Sequence, residues 1–312
     1  MGDVAIIVPT LRRPDSLTRA LRSLFAQTGV SDRVSAVVVV DNDPTGSAAS
    51  TVDGLRAGCP WPLVYVAEPT PGVARARNAG LAATDAPLIA FLDDDEAASP
   101  GWLAALLAAQ IQTGADAVFG PITGRAPEAP AWLKPYLERF FGREGPAKTG
   151  LVNHPWGCGN SLLVRATALP GAAPFSASAD HTGGEDDILF AALRSRGGRF
   201  GWAADAGVEE FAPAHRATLS YALTRAFAYG QGPSQTAAAA RNWPAVVRWM
   251  VIGAGQTVVW GAVAAILTLT GSPKRAEMYD RTARGIGKLF WMKGFEPRFY
   301  GAAEIERLKR AA

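Results

Sequence analysis

Cysteine and histidine are scarce in this chain of 312 residues, which has two of the first and three of the second. Cys59 and Cys158 lie far apart and in no CxxC pair, so the sequence offers neither a disulfide framework nor a zinc site. No two histidines stand at metal-ligand spacing; His181, just before the Gly183-Gly184 turn, and His215 both read as loop residues. Two nucleotide signatures are missing as well. There is no GxxxxGK followed by Ser or Thr, which excludes a P-loop, and no GxGxxG follows Val8, which excludes the standard dinucleotide fingerprint. The opening "MGDVAIIVPTLRRPD" has an acid at Asp3 and lacks the apolar h-region of a signal peptide, so a cytoplasmic location is expected. Charge is low: 19% of residues are charged, the net is +3, and no dense basic patch points to nucleic acid. Internal repeats and low-complexity tracts are lacking too.

What is present is a large supply of apolar residues, 48% of the chain, enough for a sizeable core. Val4–Val8, 34–40, 63–67, 87–92 and 116–120 are short β-branched or apolar runs of the kind expected of strands covered on both faces. Between them lie helical patterns. Pro14 opens one whose Leu17, Ala20, Leu21, Leu24 and Phe25 share a face, and 73–83 and 100–112 read as two more. Strands alternating with helices imply an α/β fold with a mostly parallel sheet flanked by helices.

In such sheets ligands bind beyond the carboxyl ends of the strands. Two acidic sites fall there: Asp41 directly after "VVVV", and "FLDDDE" (91–96) after "PLIA". An Asp at the first position also fits a helix cap. The triple acid fits a cap poorly, because one cap needs one side chain. Adjacent carboxylates gain when a cation sits among them, and hard divalent cations favour carboxylate and phosphate oxygens. Asp93–Asp95 are therefore expected to hold Mn²⁺ or Mg²⁺ bound to a diphosphate.

The ordered set "IIVPTLRRPDSL", "VVVVDNDP", "PGVARARNAGL", "FLDDDE" and "GGEDDILFAAL" resembles family 2 glycosyltransferases of the GT-A fold, and most closely those of bacterial exopolysaccharide biosynthesis. The likeness runs from about Val4 to Gly230, with Leu11-Arg12 standing where the family often has Tyr-Asn. It implies that Pro9, Thr10 and Arg13 line a nucleotide pocket and that Asp41 accepts the uracil N–H. Arg77 and Asn78 match the donor-binding Arg and its neighbour. Asp93 and Asp95 match the outer acids of the DxD motif, Asp95 as metal ligand and Asp93 beside the ribose or the metal, with Asp94 between them as a further donor contact. Asp186 matches the catalytic base, and Glu185 contacts the acceptor or orients the helix. A helix opening at Asp186 or Asp187 would also carry acids at its N-terminus for the dipole alone. The segment "WGCGNSLLVR" (156–165) resembles the acceptor side, with Trp156, Gly159 and Asn160 as candidate contacts; Trp156 fits a sugar-stacking and a core role equally. Glu210, where many relatives carry a His, is either a metal or leaving-group contact or a helix cap.

Met250–Thr270 holds no charge over its length, enough for a spanning helix, but contains Gly, Thr and Gln and is flanked by basic residues on both sides. The preferred reading is a membrane-embedded or interfacial segment, with 274–293 as a basic amphipathic helix on anionic lipid. A buried hairpin or dimer interface is the alternative. The expected division is a GT-A domain over 1–235 and a helical C-terminal region over 236–312. The expected activity is inverting transfer of a hexose from a UDP-sugar to a lipid-linked oligosaccharide at the cytoplasmic face of the membrane. A catalytically weak sugar-nucleotide-binding scaffold subunit is the alternative, and a nucleotidyltransferase a distant third.

Overall fold

The computed structural model describes residues 2–180 and 183–299. His181 and the last thirteen positions of the expected C-terminal region lie outside the described residues. The chain divides into two compact units, the first built from residues up to Gly124 and from Gly142–Phe211, the second from Arg125–Phe141 and Ala212–Arg298.

In the first unit the elements run β1 (Val4–Thr10), α1 (Pro14–Phe25), β2 (Val34–Asp41), α2 (Ala49–Leu55), β3 (Leu63–Ala67), α3 (Val73–Ala82) and β4 (Leu88–Phe91). β5 (Glu96–Ala98), α4 (Trp102–Thr113), β6 (Ala117–Phe119) and β7 (Ile122–Arg125) follow. After α5 (Lys134–Phe141), which belongs to the second unit, come β8 (Gly150–Val152), β9 (Ser161–Val164), α6 (Arg165–Ala168), α7 (Glu185–Ser195), β10 (Phe200–Trp202) and β11 (Val208–Phe211). Eight strands form one sheet in the order β3-β2-β1-β4-β9-β6-β10-β8, and β5-β11-β7 form a small second sheet. β1 pairs in parallel with β2 and β4, β2 with β3, and β6 with β10; β9 runs antiparallel between β4 and β6, and β8 antiparallel on the edge.

The unbroken apolar runs are explained by helices on both faces. Ile6, Val8, Val37 and Val39 point to one core with α1, α2 and α4; Ile7, Val38 and Val40 point to the other with α3 and α7. A strand sealed on both sides has no position at which water rewards a polar residue. The second core is thin because α3 packs closely on the sheet. A Cβ on its Gly80 would meet Ile7 Cγ2 at 2.6 Å and Val40 Cγ2 at 3.0 Å.

The second unit contains α5, α8 (Leu219–Ala239), α9 (Trp243–Leu269) and α10 (Arg275–Leu289). α8 runs straight through residue 235, where the division between domains was expected, so the structural boundary falls before it, at Phe211. Helical periodicity alone gave no sign of this, because the resemblance faded inside α8 and not at its start.

Candidate active site

The carboxyl ends of β1, β2 and β4 lie side by side. Thr10 pairs in register with Asp41, and the Leu92 N–H donates to Ile7 O, which carries Asp93–Asp95 to the end of β1. There the Thr10 hydroxyl donates to Asp94 Oδ2 at 2.7 Å, and Arg13 Nη1 donates to Asp94 Oδ1 at 2.9 Å and Asp95 Oδ2 at 3.0 Å. The three acids are thus not equivalent. Asp94 is consumed by Thr10 and Arg13, Asp95 leans on Arg13, and Asp93 keeps the most open carboxylate, with 37% of its side chain exposed. Pro9, half-buried within β1 opposite Val40, lies one residue behind this cluster.

Asp41 has a different task from the one expected. Its carboxylate has no exposed surface; Oδ1 accepts the Asp43 N–H at 3.1 Å, and Oδ2 accepts the Ala48 N–H at 2.7 Å and the Tyr65 hydroxyl at 3.0 Å. It fastens the β2–α2 loop, so the contact to a uracil ring is not presented by this side chain. Asp43, two residues on, forms a two-point ion pair with Arg12, whose backbone has φ of 54°. Burial raises the Asp43 carboxyl, but Arg12 and Thr45 more than reverse this and hold it at about 2.

Across from these loops, Arg77 on α3 is buried and committed to two carboxylates. Its Nη1 pairs with Glu185 and its Nη2 lies 3.5 Å from Asp93. Asn78 does not face the site: its amide is spent on the backbone of Phe175, donating to the carbonyl at 2.8 Å and accepting the N–H at 3.1 Å. α7 opens at Glu185, one residue earlier than expected, and presents Asp186 half-exposed in its first turn. Asp186 Oδ2 accepts the Cys158 N–H at 3.2 Å and Oδ1 the Asp187 N–H at 2.9 Å.

The segment 157–160 is the bridge between the two acidic centres. A Cβ on Gly157 would lie 3.1 Å from Asp186 Oδ2, and one on Gly159 would lie 2.6 Å from Asp93 Oδ2. Gly159 therefore serves by lacking a side chain. Asn160, with φ of 52°, is fully buried and binds Trp102 Nε1, Pro121 O and Ala206 O, so its amide has a structural role in place of the expected acceptor contact. Trp156, half-buried, packs on Trp202 (ring centroids 4.7 Å apart) and Phe119 (5.9 Å) at the edge of the core.

Arg143 and Glu96 were given no role by the sequence reading, whereas Glu210 was. Arg143, in the featureless stretch "FFGREGP", donates Nη1 to Gly159 O at 2.9 Å and Asn160 O at 3.3 Å, and Nη2 to Gly157 O at 3.1 Å. Burial pushes its guanidinium down, against the pull of Glu96, Glu210 and Asp93. Glu96 and Glu210 are direct partners across β5 and β11, and Glu96 Oε2 accepts the Asp93 N–H at 3.0 Å. Glu210 is thus a strand residue beside the acidic cluster and not a helix cap. No local pattern revealed Arg143, which a distant loop brings in, or the pairing that sets Glu96 beside Glu210.

Negative charge is in excess. The carboxylates of Asp93, Asp94, Asp95, Glu96, Glu185, Asp186 and Glu210 outnumber the guanidiniums of Arg13, Arg77 and Arg143. Burial raises Asp93, Asp94, Glu96, Glu185 and Glu210 above ordinary carboxylate values, and mutual repulsion adds to it. A cation relieves such a cluster. Among the described residues no three His, Cys, Asp or Glu converge as a complete metal cage. Mg²⁺-like ions bound through one or two carboxylates plus substrate phosphates need no such cage. The donor set fits a metal that arrives with a diphosphate.

A mostly parallel sheet with helices on both faces and acids at its carboxyl end is the GT-A glycosyltransferase fold. Solved structures agree on the fold: a mannosyltransferase from Pyrobaculum calidifontis in complex with GDP-Man and Mn²⁺ superposes with a TM-score of 0.61 at 17% identity, over 93% of this chain and 88% of that one. S. aureus TarS residues 1–349 in complex with UDP-GlcNAc gives 0.52 at 15% identity, over 94% and 92%. The chain belongs to glycosyl transferase family 2, whose model matches residues 5–168. It is 33% identical over 307 residues to the succinoglycan biosynthesis protein ExoM of Rhizobium meliloti, covering 97% of each. It is also 32% identical over 161 residues to the validoxylamine A glucosyltransferase of Streptomyces hygroscopicus subsp. limoneus, covering 49% of this chain and 34% of that one.

Proposed function

We propose that this family 2 enzyme is a metal-dependent, inverting hexosyltransferase that uses a UDP-sugar to extend a lipid-linked saccharide at the cytoplasmic face of the membrane. The observation that carries the reading is the pair of acidic centres, Asp93–Asp95 and Asp186, held on either side of the 157–160 segment. Asp186, oriented by the Cys158 and Asp187 amides, takes the proton of an acceptor hydroxyl. That oxygen attacks C1 of the sugar as the C1–O bond to the diphosphate breaks, so one displacement inverts the anomeric centre. A divalent cation held by Asp95, with Asp93 beside it, would neutralise charge on the departing diphosphate. Thr10 and Arg13 keep Asp94 and Asp95 in place, and Arg77 links Asp93 to Glu185 between the two centres.

The UDP reading is supported by the nucleotide in the TarS complexes, and the metal reading by the Mn²⁺ in the mannosyltransferase complex. The likeness to ExoM supports a cell-surface polysaccharide as product. The test is nucleotide release from a panel of UDP- and GDP-sugars, with and without membrane lipid extract, in Mn²⁺ and in EDTA. Expected is turnover with a UDP-sugar that needs both lipid extract and metal, giving a product of inverted configuration. Undiminished turnover in EDTA, or a retained anomer, would overturn the mechanism.

A further inference from the structure

α9 is apolar around its whole circumference, yet only 11% of its most apolar window is buried. It is not a core helix. Its outward stripe runs Val247, Val251, Val258, Ile266 and Leu269, with Val251 67%, Val258 72% and Leu269 89% exposed. The stripe is about 33 Å long by the helical rise and contains no charge beyond Arg248 at its start. By length α9 could span a bilayer. What lies against its other face decides the matter.

That face is covered by α10, running the opposite way. Thr268 Oγ1 and Tyr279 OH share a hydrogen bond of 2.6 Å, the Arg281 guanidinium lies 4.5 Å from the centre of the Trp260 ring, and a Cβ on Gly253 would meet the Gly285 carbonyl at 2.6 Å and Lys288 Cβ at 2.7 Å. α10 therefore accompanies α9 from residue 268 to residue 253, about 22 Å of helix, or most of the hydrocarbon thickness. Over that stretch it carries Asp280, Arg281, Arg284 and Lys288. It is in turn tied to further polar elements: Tyr136 on α5 donates to Asp280 at 3.0 Å, and Ser234 on α8 donates to Lys288 O at 3.0 Å. A spanning α9 would draw this charged layer into hydrocarbon, where ionised side chains are strongly disfavoured.

We propose that α9 lies in the plane of an anionic membrane surface, its outward stripe at the headgroup–acyl boundary and α10 above it on the aqueous side, without crossing. This rests on the membrane reading of the proposed function and specifies its geometry. Charge complementarity names the occupant. Exposed Arg241, Arg248, Lys274, Arg281 and Lys293 flank the stripe, and 274–293 holds six basic against two acidic side chains. Basic residues at both ends attract lipid phosphates and would repel a second copy docked by the same face in either direction.

The test is topology by cysteine labelling of the full chain, in a background with Cys59→Ser and Cys158→Ser, at Asn242→Cys and Ser272→Cys on either side of α9. With a membrane-impermeant maleimide added to intact spheroplasts, neither position should react, and both should react after lysis. A fluorophore at Val258→Cys should move to an apolar setting on vesicles of phosphatidylcholine with phosphatidylglycerol, and be quenched by shallow lipid quenchers over deep ones. Val251→Asp with Val258→Asp should lower vesicle partitioning by about tenfold or more with an unchanged circular-dichroism melt. Reaction of one end alone in intact spheroplasts would mean that α9 crosses, overturning the in-plane geometry while membrane association stands. A soluble monomer with no vesicle binding would overturn both. A dimer in solution that shields Val258 would assign the stripe to a second copy and overturn the proposal.

Discussion

In the proposed mechanism the proton transfer falls to Asp186, a half-exposed carboxylate oriented by two amides. Asp186→Asn keeps the shape and cannot accept a proton near neutral pH. It should lower kcat by about 10²–10⁴ with UDP-sugar affinity unchanged in calorimetry, while Asp187→Asn should be mild. If Asp187→Asn is the inactive variant, the base is assigned one residue early. Asp43 gives a prediction of a different kind. Its carboxyl is held at about 2 against an ordinary 3.8, so it contributes stability that is fully present above pH 4 and is lost as pH falls toward 2. Asp43→Asn should therefore lose on the order of 2 kcal/mol at pH 7, and the gap to the wild type in urea midpoints should close near pH 2. A constant gap at all pH values would mean that Arg12 contributes packing and not charge.

At the scale of elements, two close approaches shape the site. The first sets α3 against the sheet. Gly80→Ala should cost about 1–3 kcal/mol through its clash with Ile7, and Ile7→Ala about 2–5 kcal/mol through the cavity it leaves. Because the added methyl fits the space that Ile7 vacates, the double variant should be less destabilised than the sum of the two, as read by chemical denaturation. Strict additivity would show that α3 shifts instead. The second approach is the 157–160 segment braced by Arg143. Arg143→Met removes the guanidinium donor from the carbonyls of Gly120, Gly157, Gly159 and Asn160 and leaves Asp93, Asp186, Glu96 and Glu210 with less positive charge. Its stability should fall by about 3–5 kcal/mol, the range for breaking a buried charged network. The acid limb of the kcat profile should also move to higher pH, a change that loss of stability alone would not produce. Arg143→Lys should restore the pH limb more than the stability, since an ammonium replaces the charge but not the fork of donors.

At the scale of the whole molecule, the proposed metal dependence makes a prediction about the buried carboxylates of the first unit. Each raised carboxyl stabilises the folded state below its unfolded value and loses that contribution as pH rises through its folded value. A UDP–Mn²⁺ complex that meets the site should then stabilise the fold by about 2.7 kcal/mol at a hundredfold excess over Kd and raise the melting temperature more than the sum of UDP and Mn²⁺ given separately. Asp95→Ala should abolish the synergy and keep the unliganded melt. Equal shifts with and without metal would remove Asp95 from the metal site.

The sequence by itself determined the alternation of strands and helices, the order of the acidic centres and the family, because these rest on local patterns of burial and on motifs contiguous in the chain. It placed β1, α1, β2, β3, α3, β4 and α4 within a few residues of their observed bounds, since continuous apolar runs have few other ways to be buried. What it could not settle was which polar side chains already had partners. Asp41, Asn78 and Asn160 each sit in a motif yet spend their hydrogen bonds inside the fold, on backbone and on Tyr65 and Trp102, while Arg143 carries no motif and comes in on a distant loop, and strand pairing sets Glu96 beside Glu210. The tertiary structure also gave α9 its companion. A long uncharged helix reads the same whether it is buried, spanning or lying on a surface; its exposed stripe argues against the first, and the charged helix packed along it argues against the second, because a crossing would desolvate those charges.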